Sequence, residues 1–244
     1  CDKKQWDILN NKRSFKNLCR EFDIPVTEEY IIDYNRINAD IRFPVVVKPT
    51  DGSGSRGFNV CNNTEELKEA YLTAAEFSQS KSVLVEKFMD YKKSIIIHYT
   101  IVDGKFYFSG ILDKRSSKVF PDGAPIMSVQ FYPSRHEEKY VRTLNEKVIK
   151  MFRHLGLKNG VIWIEAFIDD DTFVMNEMGY RFGGSLTYFP IKMITGIDQL
   201  ALQIEYALTG KYEKLPEIIS SFKKKSYCIL PVHVKPGRIC GIEG

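Results

Sequence analysis

A short apolar strand that runs straight into a glycine-rich loop constrains the fold of this chain more than any other stretch. Residues 45–47 are valines, Lys48 interrupts the run, and Pro49 helps to end it. The loop at residues 51–57, which we call the flap, reads Asp-Gly-Ser-Gly-Ser-Arg-Gly. Its glycines allow backbone N–H groups to approach an anion closely. The pattern therefore indicates a loop that covers phosphates.

The residues that follow the flap exclude two common phosphate-binding arrangements. Gly52, Gly54 and Gly57 have the spacing of the dinucleotide fingerprint, but that fingerprint requires a helix directly after the loop. Residues 58–61 favour a second strand instead, and Phe58 stands where a Walker loop needs a lysine. A strand–loop–strand arrangement remains, similar to the loop with which kinases cover ATP. The alternative is an ordinary glycine-rich hairpin.

The composition is that of an ordinary globular protein. The chain has 244 residues, 43% hydrophobic and 27% charged, enough for one large domain or two small ones. A formal charge of +4 does not indicate nucleic-acid binding, although it suits anionic substrates. Five cysteines without a C-x-x-C spacing indicate reduced thiols in the cytoplasm. We expect no membrane span and no signal peptide, and the opening Cys1 suggests a fragment of a longer chain.

The flap lies within a predicted α+β unit over residues 44–88. After the second strand, Thr64 is predicted to cap a helix that extends to Phe77. Residues 82–88 then form a third strand. Two strands, a helix and a further strand are about the least that could form a lid with its own core.

Regular elements are also predicted on both sides of this unit. They are a helix over residues 5–22, strands 94–102 and 105–112 around Asp103-Gly104, a helix over 137–155, and a helix from Asp198 to Gly210. Residues 113–125 are predicted to be a surface loop. Charged residues in such contexts are more often solvated than ligands, and this holds for Lys12 by its pattern alone. The other examples are Lys114, Arg115 and Lys118 in the loop and the basic patch at residues 223–225.

Two acidic residues are predicted to face each other on a second hairpin. Its strands are residues 161–168, with Val161, Trp163, Glu165 and Phe167 on one face, and 172–178, with Phe173, Met175 and Glu177 on one face. If the turn sets Ile168 opposite Val174, Glu165 lies directly opposite Glu177. The two Cβ atoms are then about 5 Å apart.

Two facing carboxylates repel each other unless something neutralises them. Mg²⁺ does this well, because it typically takes one or two carboxylates together with substrate phosphates. The alternative is that Glu165 and Glu177 pair with Arg181 or with a lysine. Arg181 emerges from the end of the strand that carries Glu177, where its guanidinium suits an anionic intermediate or a carboxylate.

Taken together, these stretches resemble the ATP-grasp superfamily, nearest to its biotin carboxylase, carbamoyl-phosphate synthetase and phosphoribosylglycinamide synthetase branch. The blocks that carry the resemblance are Asn11-Lys12 with Ile24-Pro25, VVVKPTDGSGSRG (45–57), VLVEKF (83–88), VIWIEAF (161–167), and NEMGYRFGG (176–184) with residues 194–198. They occur in the family's order, from about Lys12 to the C-terminus. Family members usually carry a further domain before the Lys12 region, which is missing from this sequence.

The resemblance implies an α+β, ATP-grasp fold in which two α+β subdomains clasp ATP. Residues 1–43 would be an N-terminal helix and connector, residues 44–88 the lid subdomain, and residues 89–244 the larger subdomain with the metal-binding hairpin. Position by position, it implies phosphate contacts from Lys12, Lys48, Ser53, Gly54, Ser55, Arg56 and Gly57, an adenine hinge of Glu86, Lys87, Phe88 and Met89, metal ligands Glu165 and Glu177, and catalytic roles for Lys48 and Arg181.

Two positions depart from the family's pattern. An asparagine often stands two residues after the second metal-binding glutamate, where this chain has Gly179. A ribose-binding glutamate often follows the hinge, where this chain has Lys93. The second metal and the ribose are therefore expected to be held differently.

The resemblance implies an ATP-dependent, ADP-forming ligase that joins a carboxylate to an amine, or to a thiol, through an acyl phosphate. Its cofactors would be ATP and Mg²⁺ or Mn²⁺, and its partners the rest of a longer chain or a second copy, with neither nucleic acid nor membrane. A nucleotide-binding module without its own catalysis is an alternative. A carbamoyl-phosphate-synthetase-like subunit that activates bicarbonate or carbamate, and a simple phosphotransferase, are others.

Overall fold

The structure, a computed structural model, describes residues 2–32, 34, 40–119, 123–217, 226–232, 237–238 and 240–241. Within these residues the chain forms two antiparallel sheets flanked by helices, which confirms the α+β class. The basic patch at 223–225 and the side chain of Lys118 lie outside the described part.

The smaller sheet has the strand order β2-β1-β3 and carries the flap. Its elements are β1 (Val45–Pro49), β2 (Asn59–Cys61), α3 (Thr64–Phe77) and β3 (Val83–Lys87). Alternate valines of β1 pack against Leu67 and Ala74 of α3, so that the sheet and the helix share a small core of their own. The predicted order of strand, loop, strand, helix and strand is confirmed.

The larger sheet has the strand order β8-β7-β4-β5-β6-β9. Its strands are β4 (Ser94–Val102), β5 (Lys105–Val119), β6 (Pro125–Tyr132), β7 (Gly160–Asp169), β8 (Thr172–Gly179) and β9 (Tyr227–Ile229). The helices are α1 (Lys3–Asn10), α2 (Lys12–Glu21), α4 (Glu137–Thr143), α5 (Asn145–His154), α6 (Tyr188–Thr195) and α7 (Gln199–Thr209). Helices α1, α2, α4 and α5 bury one face of this sheet in the main core, and α6 and α7 cover part of the other.

Two predicted long helices are each broken once. The helix expected over residues 5–22 is interrupted at Asn11, whose backbone is extended and whose side chain accepts a hydrogen bond from the Ser14 N–H. Asn11 therefore caps α2 and ends α1, because its amide satisfies a free N–H at the new helix start. The helix expected over residues 137–155 is likewise divided at Leu144.

The prediction of a surface loop at residues 113–125 is wrong for residues 113–119 and 125, and residues 120–122 lie outside the described part. Strand β5 continues to Val119, and β6 begins at Pro125 and pairs with it. Lys114 of β5 and Pro125 of β6 line the cleft between the two sheets. The cap of α3 is also corrected, since Asn63 rather than Thr64 accepts the hydrogen bond from Glu66.

The predicted caps of α7 are confirmed, with the Asp198 side chain at its start and Gly210 in a left-handed conformation at its end. Helix α6 was not predicted from the sequence. Among the described residues, no helix is both long and apolar enough to cross a membrane.

Candidate active site

A cleft of about 840 Å³ lies between the two sheets. Its walls come from the smaller sheet and the flap, from the start of α2, and from the hairpin β7–β8. The predicted site residues that line it are Lys12, Lys48, Ser53, Gly54, Ser55, Arg56, Glu86, Lys87, Met89, Glu165, Glu177 and Arg181. Within the described part of the chain, Gly57 and Phe88 lie outside this lining.

The flap borders the cleft, and Lys12 forms hydrogen bonds with the backbone at its base. The ammonium of Lys12 donates to the Gly52 carbonyl at 2.6 Å, and the Lys12 N–H donates to the Thr50 carbonyl at 2.8 Å. The break at Asn11 makes this possible, because it places Lys12 at the first turn of α2, beside the flap. Gly57 has φ +71°, and a Cβ there would lie 3.1 Å from Phe77, so Gly57 lets the flap pack on α3.

A buried chain of charges lies beneath the flap. Lys48 forms an ion pair with Glu86 at 2.8 Å, and both side chains are almost fully buried. Glu86 also pairs with Lys16, which is fully buried and donates to the Thr27 hydroxyl as well. Lysines on both sides compensate the carboxylate, as a buried charge requires. Lys16 was not predicted as a site residue, since a lysine inside an amphipathic helix gives no local signal.

The facing acids on the hairpin are confirmed, although the reasoning that led to them was partly wrong. The structure pairs Ile168 with Phe173, one residue away from the assumed register. A β-bulge then leaves Asn176 without a pairing position, and the register beyond it sets Glu165 opposite Glu177. The bulge also turns Glu177 into the cleft.

The bulge determines which side chains of the hairpin face the cleft and which face the core. Trp163, Glu165 and Phe167, which were predicted to share one face with Val161, line the cleft. Phe173 and Met175 are in the main core, so the prediction that they share a face with Glu177 is wrong. A bulge changes the alternation of side chains, and the sequence pattern alone does not reveal it.

Each acid has a lysine partner. Lys114 approaches Glu165 at 2.6 Å, and Lys12 lies 3.7 Å from Glu177. Burial raises the pKa of the Glu165 carboxyl, but Lys114 together with hydrogen bonds from Asn176 and Ser94 outweighs it, so the pKa lies below its ordinary value. Lys114, predicted to be a solvated charge, is therefore part of the site.

The residues present fit a divalent cation that arrives with phosphates. Glu165 and Glu177 supply two carboxylates on the cleft side of adjacent strands. Oxygen donors of this kind suit Mg²⁺, which usually keeps part of its shell for waters and phosphates. Among the described residues no group of three or more histidine, cysteine or acidic side chains is placed to hold a metal by itself.

Arg181 lies at the exposed end of the cleft, with its guanidinium 5.3 Å from the centre of the Trp163 ring. The same ring explains the departure at Gly179. A Cβ at residue 179 would lie 2.4 Å from the Trp163 ring, so no side chain fits there. Stacking of a cation on an aromatic face orients it while leaving its donors available.

The hinge region combines polar and aromatic side chains. Lys87 reaches across to Asp169 at 2.8 Å, and Met89 is buried in the cleft wall. Tyr91 contacts Phe58 and Phe167, with ring centres 6.4 and 5.9 Å apart, and all three rings line the cleft. Aromatic spacing across three separate elements is not visible in the sequence.

Residues 11–216 match the family profile described as the carbamoyl-phosphate synthase L chain, ATP-binding domain. The chain belongs to this family. It is thereby a member of the ATP-grasp superfamily, which confirms the resemblance and the fold.

Individual members of the ATP-grasp superfamily resemble the chain over most of its length. The carbamoyl phosphate synthase large chain of Thermoanaerobacter sp. (strain X514) is 26% identical over 215 residues, which are 86% of this chain and 19% of that protein. The chain thus spans about a fifth of that relative.

Two solved structures share the fold. The biotin carboxylase domain dimer of Hydrogenobacter thermophilus 2-oxoglutarate carboxylase, in complex with MgADP, ADP and bicarbonate, has a TM-score of 0.68 and 23% identity. The match covers 85% of this chain and 47% of that one. The L-amino acid ligase from Bacillus licheniformis has a TM-score of 0.66 and 21% identity, covering 88% and 52%.

Proposed function

We propose that this protein is an ATP-dependent, ADP-forming ligase that activates a carboxylate as an acyl phosphate and transfers it to an amine or a thiol. One observation carries the proposal. Two lysines from the flap side, Lys12 and Lys48, and two carboxylates from the hairpin, Glu165 and Glu177, line a single cleft. This is the charge arrangement that transfer of a γ-phosphoryl group requires.

The cationic side of the cleft would bind the triphosphate. Lys12 and Lys48 neutralise phosphate oxygens, and the flap residues 53–56 add backbone and hydroxyl donors at the exposed tip. The aromatic rings at the hinge and Met89 offer an apolar surface to the adenine. Closure of the flap would exclude water, which would otherwise hydrolyse the acyl phosphate.

The acidic side would hold the metal. Glu165 and Glu177 are the ligands, Mg²⁺ or Mn²⁺ is the ion, and the bound ion supplies neutralisation of the charge that develops on the phosphates. The structure of the biotin carboxylase domain with MgADP supports the choice of ion. Arg181 would face the carboxylate substrate or the acyl phosphate, because its guanidinium is held at the cleft end by Trp163.

The same proposal includes small-molecule carboxylate and amine substrates, a cytoplasmic location, and assembly with the rest of a longer chain or with a second copy. The relatives support the assembly, since one is a much longer chain and another is described as a domain dimer.

The experiment measures ADP release by the full-length protein with ATP, Mg²⁺ and a panel of carboxylates and amines. Wild type should release ADP only when the correct acid is present. Glu177→Gln should lower Mg²⁺-dependent ADP formation by at least about 100-fold, because the amide cannot neutralise the ion. Glu69→Gln, on the exposed side of α3, is the matched control and should retain wild-type turnover. Wild-type turnover by Glu177→Gln would refute the metal assignment.

A nucleotide-binding module without catalysis is the second candidate. Gly179 favours it, because the Trp163 ring leaves no room at this position for the asparagine that similar enzymes often carry. ATP binding without substrate-dependent ADP release by the full-length protein would select this candidate. The family match favours a further variant, a carbamoyl-phosphate-synthase-like subunit, which ADP release with bicarbonate alone would identify.

A further inference from the structure

Asn176 is a polar residue in a position where a strand would normally bury an apolar one. It stands at the bulge of the hairpin, next to Met175, which is fully buried in the main core. Its own side chain is 9% exposed and lines the cleft. An amide buried in this way is costly unless both of its ends are hydrogen-bonded.

Both ends of the Asn176 amide are bonded to charged groups of opposite sign. Its Oδ1 accepts from the ammonium of Lys48 at 2.7 Å, and its Nδ2 donates to Oε2 of Glu165 at 3.1 Å. These partners fix the orientation of the amide, because the reverse orientation would set N–H against ammonium and oxygen against carboxylate. Asn176 therefore joins a cation of the smaller sheet to an anion of the larger sheet.

The bonds of Asn176 complete a continuous network across the cleft. Lys48 continues to Glu86 and then to Lys16, and Glu165 continues through its other oxygen to Lys114. Within this network Asn176 is the neutral link between the two sheets. A neutral amide serves here because either a cation or an anion at this position would repel one of its two neighbours.

We propose that Asn176 is a positioning residue that holds Lys48 and Glu165 at a fixed separation and thereby couples metal binding to nucleotide binding. The inference rests on the proposed function, in which Lys48 binds phosphate and Glu165 binds the metal. With the link in place, the phosphate site and the metal site are prepared together. Without it, the partners that remain among the described residues are Glu86 for Lys48, and Lys114 and Ser94 for Glu165.

The test is direct titration of the full-length protein with ATP, once with Mg²⁺ and once with a chelator. Mg²⁺ should strengthen ATP binding by wild type. Asn176→Leu removes both hydrogen bonds at similar volume, and it should weaken ATP binding with Mg²⁺ by about tenfold or more while changing the metal-free affinity much less. The factor by which Mg²⁺ strengthens binding, rather than affinity alone, is the quantity to compare.

A matched control separates positioning from a general loss of structure. Met175→Leu alters the adjacent residue of the same bulge, on the core side, and should leave the Mg²⁺ factor unchanged even if it lowers the melting temperature. Asn176→Asp is the second variant. Its carboxylate still accepts from Lys48 but repels Glu165, so Mn²⁺ alone should bind more tightly and metal-free ATP more weakly.

Partial unfolding of Asn176→Asp would weaken the binding of both ligands, so tighter Mn²⁺ binding together with weaker metal-free ATP binding does not follow from it. A wild-type Mg²⁺ factor in folded Asn176→Leu would overturn the inference and leave the proposed function standing. Failure of wild type to bind ATP with Mg²⁺ would instead overturn the proposed function, and the inference with it.

Discussion

The hairpin and the flap form opposite walls of one cleft, and they are built in opposite ways. Glu165 on the hairpin lies in a continuous sheet, is buried, and is bonded to three neighbouring side chains. The tip of the flap, residues 53–56, is exposed, and it includes Ser55 with φ +57°. Side chains held in this way are prepared before a ligand arrives, whereas an exposed loop acquires its order from the ligand.

The comparison predicts whether a substitution first lowers stability or first lowers nucleotide affinity. Substitutions in the buried charge network or beside the hairpin should appear first as lost stability, because they disturb packed or paired groups. Substitutions at the tip of the flap should appear first as lost nucleotide affinity. Four expected outcomes test this division, in order of decreasing size.

The largest effect is expected from the buried charge network. Lys16→Met removes one of the two cations that flank Glu86, and it should lower the free energy of unfolding by about 3 kcal/mol because a buried carboxylate loses a partner. Denaturant unfolding measures this. Lys4→Met, on the exposed side of α1, is the control and should change stability little. Equal stability of the two variants would show that the network does not stabilise the fold.

The next effect depends on pH and on His98, which is buried on β4 opposite Trp163 of the hairpin. Burial lowers the pKa of His98 to about 3 from an ordinary 6.5, so the folded protein keeps it neutral while the unfolded chain takes up a proton. Its contribution to stability is complete above pH 6.5 and is lost as pH falls towards 3, by about 1.4 kcal/mol per pH unit.

Denaturant unfolding at pH 7 and at pH 4.5 checks the role of His98. His98→Gln should lose less stability than wild type between these two values, because it carries no titrating group. Parallel losses in the two proteins would mean that the pKa of His98 is the same in the folded and the unfolded protein.

A smaller loss of stability is expected where Trp163 covers Gly179. Gly179→Ala places a methyl group against the ring, and it should cost about 2 kcal/mol because the ring must move. Gly184→Ala is the matched control, since a Cβ there meets nothing within 4 Å. Thermal melting should separate the two variants by several degrees, and coincident curves would mean that the ring is free to shift.

The smallest effect distinguishes two glycines of the flap. Gly54 and Gly57 both have positive φ, but only at Gly57 would a Cβ press on Phe77. Gly57→Ala should therefore lower the melting temperature more than Gly54→Ala, which carries only the backbone cost of about 1 kcal/mol for a left-handed alanine. Gly54→Ala should in addition weaken ATP binding by a factor of about 3. Calorimetry measures the melting temperatures, and titration of the same samples measures ATP affinity. A larger loss of stability in Gly54→Ala than in Gly57→Ala would contradict the distinction between the exposed tip of the flap and its packed base.

Local patterns were sufficient for much of the fold, because each strand and turn near the flap and the hairpin has its own signal. Valines 45–47, the glycines of the flap and the Asp103–Gly104 turn are examples. The facing pair Glu165 and Glu177 also followed from alternation, although only because a bulge compensated an error in the assumed turn.

The remaining site residues depend on contacts between distant parts of the chain. Lys114 looked like a solvated charge because its neighbours are polar, yet β5 pairs with β4 and brings it beside Glu165. Lys16 and Asn176 resemble ordinary polar residues until their partners, which are at least 11 positions away, are known. Breaks such as Asn11 depend on a side-chain cap that competes with a continuing helix.

The pairing of Lys12 and Lys114 with the two acids has a consequence for which ions the cleft accepts. Each carboxylate already has a lysine as counter-ion within the protein, so a divalent cation that arrives alone would have to displace that ammonium. A cation that arrives with a triphosphate meets a different balance, because the phosphates receive the displaced lysines. If Glu165 and Glu177 hold the metal as we propose, this exchange of counter-ions favours metal ions that arrive bound to the triphosphate over free metal ions.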